Sequence, residues 1–420
     1  MTQSQEGWEY ADADTQYHIH GLHSYPARMI PQIAHRLITT KSKAGELVLD
    51  PFCGSGGVLA EALILGRNAI GVDVNPLAHL IARVKTTPLD YLKLAVLTEH
   101  LLADAREGIS LKREGRLNVV PPYFKNIYHW FKRDVAEELA IVRNAIDKIA
   151  PKDQVESYHN FFLVCFSMTL RRVSNIAVRD NPYFIRAMVN AELERHQPDV
   201  LEAFDSQVRN SVSMMKIFSE GCAKDVSAKV LLADSTELSL DSDSVDLIVT
   251  SPPYGEESHT MSYSRFAKLT LLWLGYDPNT INRFTKKSLG GSTLYIDERA
   301  YRARTIPLDS KTLINIYKKV SKTDQKRARE MFSYFWDYAK CLIQMHRVLS
   351  KNKFCCIVIG DRTVARVPIS NEMITIELAR KAGFEHKETY YREIPKKVLP
   401  RRDYKVDLIN RESVIILQKV

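Results

Sequence analysis

A chain of 420 residues with 45% hydrophobic and 26% charged content can bury a sizeable core; that predicts one large globular domain with an insertion, or two to three smaller ones. The longest apolar runs, such as FFLVCFSM at 161–168, fall far short of the roughly 20 residues that cross a bilayer, and the polar start MTQSQEGWEYADAD resembles neither a signal nor a transit peptide, so a cytoplasmic protein with no membrane partner is expected. Six scattered cysteines (Cys53, Cys165, Cys222, Cys341, Cys355, Cys356) lack paired ligand spacing and predict no metal site, while a net charge of +9 suggests a polyanionic partner.

Taken in chain order, GELVLDPFCGSGGVLAEALILG (45–66) reads as a short apolar strand, a glycine-rich turn and a helix, and RNAIGVDVNPLAHLIAR (67–83) repeats the scheme. Asp50 ends the first strand and Asp73 the second, the spacing at which dinucleotide folds place a ribose-binding carboxylate. Gly54, Gly56 and Gly57 let a ligand approach the backbone at a helix N-terminus. From about 91 to 228 the strand–helix rhythm gives way to helical patterns such as WFKRDVAEELAIVRNAIDKIA, an expected helical insertion. KVLLADSTELSL (229–240) and VDLIVTSPPY (245–254) read as two further strands, with Asp234 placed to reach an adenine amino group.

An amphipathic helix follows from 332, then a buried strand at 353–361, a helix at about 371–382 and two alternating segments that end the chain as an antiparallel pair at the sheet edge. Between Arg283 and Glu330 there are 13 Lys or Arg against 5 Asp or Glu, in a segment that reads as a long loop with helical pieces (280–330). VPPYF (120–124) shares a PPY sequence with SPPY at 251–254, but no buried strand leads into it, and it reads as a turn, as does NPYF at 181–184.

The chain resembles the S-adenosylmethionine-dependent amino-methyltransferases of DNA on two motifs. Phe52, Gly54 and Gly56 match an FxGxG cofactor motif, and Ser251, Pro252, Pro253 and Tyr254 match a (D/N/S)PPY catalytic motif. HGLHSYPARMIPQIAHRLI (20–38) looks like a further cofactor motif of that family. The resemblance implies an α/β fold, a Rossmann-like class I methyltransferase sheet with a helical insertion and an antiparallel C-terminal strand pair. It divides the chain into a cofactor-binding part (15–90), the insertion (91–228) and a catalytic part (229–420). The cofactor is then S-adenosylmethionine, contacted by His23, Tyr25, Asp50, Pro51, Phe52, Gly54, Ser55, Gly56, Asp73, Val74, Asp234 and Ser235.

The same resemblance implies double-stranded DNA as substrate, with phosphates contacted by Arg283, Lys286, Lys287, Arg302 and Arg304. An amino group conjugated to a base is a poor nucleophile; a Ser251 hydroxyl and a Pro252 carbonyl that accept its hydrogens point the lone pair at the methyl donor. Tyr254 offers a face for a flipped base. A leading Ser leans towards the 4-amino group of cytosine; the alternatives are the 6-amino group of adenine, a guanine amino group in RNA, and a silent cofactor-bound DNA-binding protein. A restriction endonuclease acting on the same site without direct contact is a possible partner. Carbon methylation needs a Pro-Cys motif, which the chain lacks.

Overall fold

The computed structural model describes residues 7–177, 187–257, 260–291, 309–394 and 411–420. A 3-10 turn (His18–Leu22) and α1 (Pro31–Lys41) lead into β1 (Leu47–Asp50), α2 (Gly57–Ile64), β2 (Asn68–Asp73) and α3 (Pro76–Lys85). Six helices follow before the next strand: α4 (Tyr91–Arg113), α5 (Ile127–Trp130), α6 (Arg133–Ile149), α7 (Lys152–Val173), α8 (Asn190–Arg195) and α9 (Val200–Gly221). The chain then makes β3 (Ala228–Leu232), β4 (Val245–Thr250), α10 (Tyr263–Trp273) and α11 (Pro278–Lys287). Beyond residue 308 come α12 (Lys311–Thr323), α13 (Gln325–Val348), β5 (Leu349–Gly360), a small hairpin of β6 (Arg362–Val364) and β7 (Val367–Ile369), α14 (Asn371–Ala382), β8 (Phe384–Glu393) and β9 (Arg411–Lys419).

Seven strands form one sheet in the order β3-β2-β1-β4-β5-β9-β8, parallel from β3 to β5 and antiparallel at β9 and β8. The α/β expectation with a closing antiparallel pair is met. The last strand in the chain slots between β5 and β8, which leaves β8, with its alternating exposed positions, at the edge. β3 ends at Leu232, two residues before Asp234, the expected strand end; Asp234 accepts the Thr236 backbone N–H (2.9 Å) and hydroxyl (2.8 Å) and turns the chain.

The strands alternate their apolar side chains between two cores, as the pleat requires. Val48, Val249 and Cys356 pack with α1 and α2 on one face, while Leu49, Ile248 and Cys355 pack with α12, α13 and α14 on the other. A third cluster joins α3 and α10 to α4, α6, α7 and α9. Among the described residues no helix is long and apolar enough to cross a membrane.

The chain leaves β1 towards β2 on one side and returns through β4 on the other. That reversal opens a crevice at the carboxyl ends of β1 and β4, the position where open α/β sheets bind ligands.

Candidate active site

The crevice is built first from two carboxylates that serve their own backbone. Asp50 is buried at the end of β1, where one of its oxygens accepts the Thr250 hydroxyl (2.6 Å) and the Phe52 N–H (3.1 Å). Burial pushes its carboxyl up to about 7 against the opposing pull of those hydrogen bonds. Asp73, at the end of β2, accepts the Gly54 N–H (3.0 Å) on one oxygen and the Asn75 N–H (2.8 Å) on the other, and burial raises it to about 6. Each Asp73 oxygen keeps a second lone pair for a ligand.

The glycine turn divides its duties. Gly54 (φ +48°) lies against the Tyr25 ring in the crevice wall. Gly56 (φ +79°) faces α3 instead: a Cβ there would stand 2.9 Å from the Ala82 Cα, so this glycine serves the packing of α2 on α3. The Asn75 amide oxygen caps α3 by accepting the Leu77 N–H (3.0 Å), and its nitrogen donates to the Tyr25 hydroxyl (3.1 Å). Tyr25 in turn stacks on Tyr263 of α10, ring centroids 5.9 Å apart. The Ser235 hydroxyl donates to the Pro51 carbonyl and ties the turn after β3 to the turn after β1.

The second wall is the SPPY turn after β4. Ser251 and Pro253 line the crevice, whereas Pro252 is buried and Tyr254 lies outside the lining. The Tyr254 hydroxyl donates to Glu412 of β9 (2.8 Å), which also pairs with Arg392 (2.6 Å); burial first, then the Glu412 charge, holds this phenol well above its usual range. Tyr334 of α13 donates to the Pro253 carbonyl, and Asn371 of α14 donates to the carbonyls of Tyr254 (2.9 Å) and Gly360 (2.8 Å). Behind the turn Arg362 leaves no room for a side chain at Gly255, where a Cβ would meet its guanidinium at 2.2 Å. Arg362 pairs with buried Glu256 at 2.6 Å, and Arg327 approaches the same carboxylate at 3.2 Å.

Of the residues expected to meet a cofactor, Tyr25, Asp50, Pro51, Phe52, Gly54, Ser55, Asp73, Val74, Asp234 and Ser235 share the crevice lining. Gly56 does not. Nor does His23, which is buried against the helices, with its Nε2 3.0 Å from the Ser167 hydroxyl and its ring edge-on to Phe266. Of the basic residues, Arg283, Lys286 and Lys287 are exposed on α11 and Lys287 reaches the crevice mouth; Arg302 and Arg304 lie outside the described residues, as does the NPYF segment.

Sequence reasoning missed Glu257, Tyr263, Asn75, Phe284 of α11 and Leu289 just beyond that helix, all part of the lining. Glu257 is 7% exposed. One of its oxygens accepts the Ser264 N–H (2.5 Å), while the other is buried without a hydrogen-bond partner among the described residues. Its signal was the GEES that follows SPPY. A crevice lined by Asp50, Asp73, Asp234 and Glu257, with one carboxylate oxygen unsatisfied, suits a cationic ligand that carries hydroxyls and a base.

A family model described as DNA methylase matches residues 2–83. The Type II methyltransferase M.MvaI of Kocuria varians is 31% identical over 428 aligned residues, 98% of this chain and 92% of that one. A tRNA (guanine(10)-N2)-dimethyltransferase of Methanothermobacter thermautotrophicus shares 42% identity over only 52 residues, 12% of this chain and 16% of that one. Among solved structures, a SAM-dependent methyltransferase of Methanosarcina mazei aligns with 91% of this chain and 97% of its own at 10% identity, with a TM-score of 0.31 that carries no weight. With 31% identity running through almost the whole of both chains, the protein belongs to the S-adenosylmethionine-dependent amino-methyltransferases of DNA.

Proposed function

We propose that this DNA amino-methyltransferase modifies the 4-amino group of a cytosine flipped out of double-stranded DNA, with Ser251, Pro252, Pro253 and Tyr254 forming the site that receives the base. S-adenosylmethionine supplies an electrophilic methyl group on a sulfonium. The observation that carries this reading is the position of Ser251, which heads a PPY turn at the open wall of a carboxylate-lined crevice. A serine rather than an acidic or amide side chain in that place favours cytosine over adenine.

The chain's own groups divide the work. Asp73 accepts ribose hydroxyls through its remaining lone pairs, and Asp234 and Ser235 lie towards the adenine. The unsatisfied oxygen of Glu257 takes the α-ammonium, in preference to Asp50, one of whose oxygens already accepts two donors and whose carboxyl is shifted to about 7. Tyr334 and Asn371 occupy the carbonyls of Pro253 and Tyr254, so the Pro252 carbonyl is left to accept a hydrogen from the target amine alongside the Ser251 hydroxyl. Hydrogen bonds from the two amine hydrogens to Ser251 and Pro252 would aim the nitrogen lone pair at the methyl donor, and the proton that the methylated nitrogen gives up would leave to water; alignment supplies much of the acceleration. Tyr254, anchored through Glu412 and outside the crevice lining, would receive the base beside the crevice, next to Ser251 and Pro253. Lys287, Lys286, Arg283, Arg302 and Arg304 meet phosphates. A restriction endonuclease acting on the same DNA site is the expected functional counterpart.

Single-turnover transfer of labelled methyl groups by Ser251→Ala tests the assignment. Cofactor affinity and folding should be retained, and transfer should fall about 100-fold or more, the scale of losing one transition-state hydrogen bond. Full activity in that variant removes Ser251 from the chemistry.

A further inference from the structure

The PPY sequence that no strand supports is exposed in a manner that calls for a partner. Tyr123 is 98% exposed and Val120 82%, on a loop stiffened by Pro121 and Pro122 between α4 and α5. A tyrosine presented almost entirely to water on a rigid loop is an apolar surface held ready at little entropic cost.

The loop is anchored from beneath. Phe124 and Ile127 are buried, and Phe124 meets the Trp273 indole edge-on, with Phe131 and Phe166 around the same ring at centroid distances of 6.3, 5.6 and 5.8 Å. The loop itself is basic, although Glu114 pairs with Arg116 at its start (3.0 Å) and exposed Asp134 follows Arg133 at its end. Residues 116–133 hold four Lys or Arg, five aromatic residues and no Asp or Glu. Lys125, His129 and Arg133 are exposed on the same segment, and the Arg133 guanidinium lies 4.8 Å from the centroid of half-exposed Tyr128.

Position completes the picture. Trp273 closes α10, and Tyr263 at the other end of that helix lines the crevice. Eleven residues of helix span about 16 Å, which a duplex covers in about five base pairs at 3.4 Å each.

We propose that residues 116–133 form a second DNA contact, in which Tyr123 packs against a base or sugar and the basic side chains around it meet phosphates. Exposed Tyr123 and half-exposed Tyr128 beside the exposed cations Lys125 and Arg133 combine a stacking face with positive charge, the chemistry that recognises nucleic acid. The inference rests on DNA as the substrate and extends it to a surface separate from the SPPY turn.

The test is duplex binding by the whole protein across a salt series, with S-adenosylmethionine binding and sedimentation as controls. Tyr123→Ala should weaken duplex affinity about 5- to 100-fold, the range of one stacking contact, with an unchanged salt slope. Lys125→Ala should flatten the slope of log affinity against log salt by about 0.9, one phosphate's worth. Cofactor affinity should stay at the wild-type value in both variants. Wild-type duplex affinity and slope in both variants overturn the proposal while leaving the methyltransferase assignment standing. So does loss of a wild-type dimer in Tyr123→Ala with DNA binding intact, which assigns the surface to a second copy of the chain. A wild-type protein that binds cofactor yet shows no duplex binding or methylation overturns both.

Discussion

The turn after β1 and the turn after β4 sit side by side at the carboxyl ends of neighbouring parallel strands, yet nearby carboxylates meet the N–H groups of the first while donors from distant helices meet the carbonyls of the second. The backbone N–H groups of the β1 turn are met from nearby, by Asp50 at Phe52 and by Asp73, 19 residues from Gly54, at the glycine, while the Thr250 hydroxyl on Asp50 and the Ser235 hydroxyl on the Pro51 carbonyl tie the turn to the neighbouring strand ends. The SPPY turn is held from far along the chain. Tyr334 lies 81 residues from the Pro253 it bonds, Asn371 lies 117 from Tyr254, and Glu412 lies 158 from Tyr254. A cofactor loop can be specified locally because it must present backbone N–H groups and carboxylates. A turn that has to meet an incoming base needs a rigid backing, and only distant elements of the second core provide it.

That difference predicts which substitutions unfold the protein and which merely empty a site. The largest effect belongs to Arg362→Ala, which leaves buried Glu256 with Arg327 alone behind the SPPY turn and should cost about 3 to 5 kcal/mol in urea unfolding, the range for breaking a buried ion pair. A cost near zero would show that the turn carries its own rigidity. Asn371→Ala removes donors from two carbonyls and should cost roughly 2 kcal/mol. It should also slow transfer far more than it weakens cofactor binding; an equal loss in both would erase the distinction between the two walls.

Glu257→Gln sharpens the comparison on the cofactor side. It should weaken S-adenosylmethionine binding about 10-fold while leaving unchanged the affinity of an analogue without the α-amino group, because only the charge-assisted contact is lost. Equal weakening of both ligands would place Glu257 elsewhere in the crevice.

The smallest effect is that of pH. Asp50 and Asp73 have carboxyls raised to about 7 and 6, above the ordinary value of 3.8, so their protonated forms favour the folded ligand-free protein. Their contribution to stability is complete below about pH 4 and is lost as the pH rises through 6 to 7. A cation reverses that preference. Cofactor affinity should therefore increase severalfold from pH 5.5 to 7.5, with protons released on binding, and calorimetry in buffers of different ionisation enthalpy reads both. Proton uptake in that interval would contradict the assignment of these carboxylates.

What the sequence made legible follows the same division. Strand ends at Asp50 and Asp73, the glycine turn and SPPY could all be read, because each combines a local backbone demand with a residue type that meets it. Asn75 carried a readable signal as well, an Asn-Pro helix start, although its second bond to Tyr25 did not. Arg362, Asn371 and Tyr334 were illegible as site residues: nothing near Asn371 in sequence indicates that its amide bridges two carbonyls at the end of the sheet. His23 lies away from the crevice lining, against the helices behind it, a placement that a histidine in a cofactor-like motif does not reveal in sequence. The end of β3 was legible because Asp234, a turn-forming residue, follows the apolar run and closes a side-chain turn onto Thr236.

The assignment is tested most directly by the identity of the methylated nucleoside. Unmethylated duplex DNA incubated with the protein and labelled S-adenosylmethionine, digested and resolved by mass, should carry its label in N4-methylcytosine. Label in N6-methyladenine would contradict the choice of base, and label in 5-methylcytosine would contradict the amino-group chemistry on which the whole account of the SPPY turn depends.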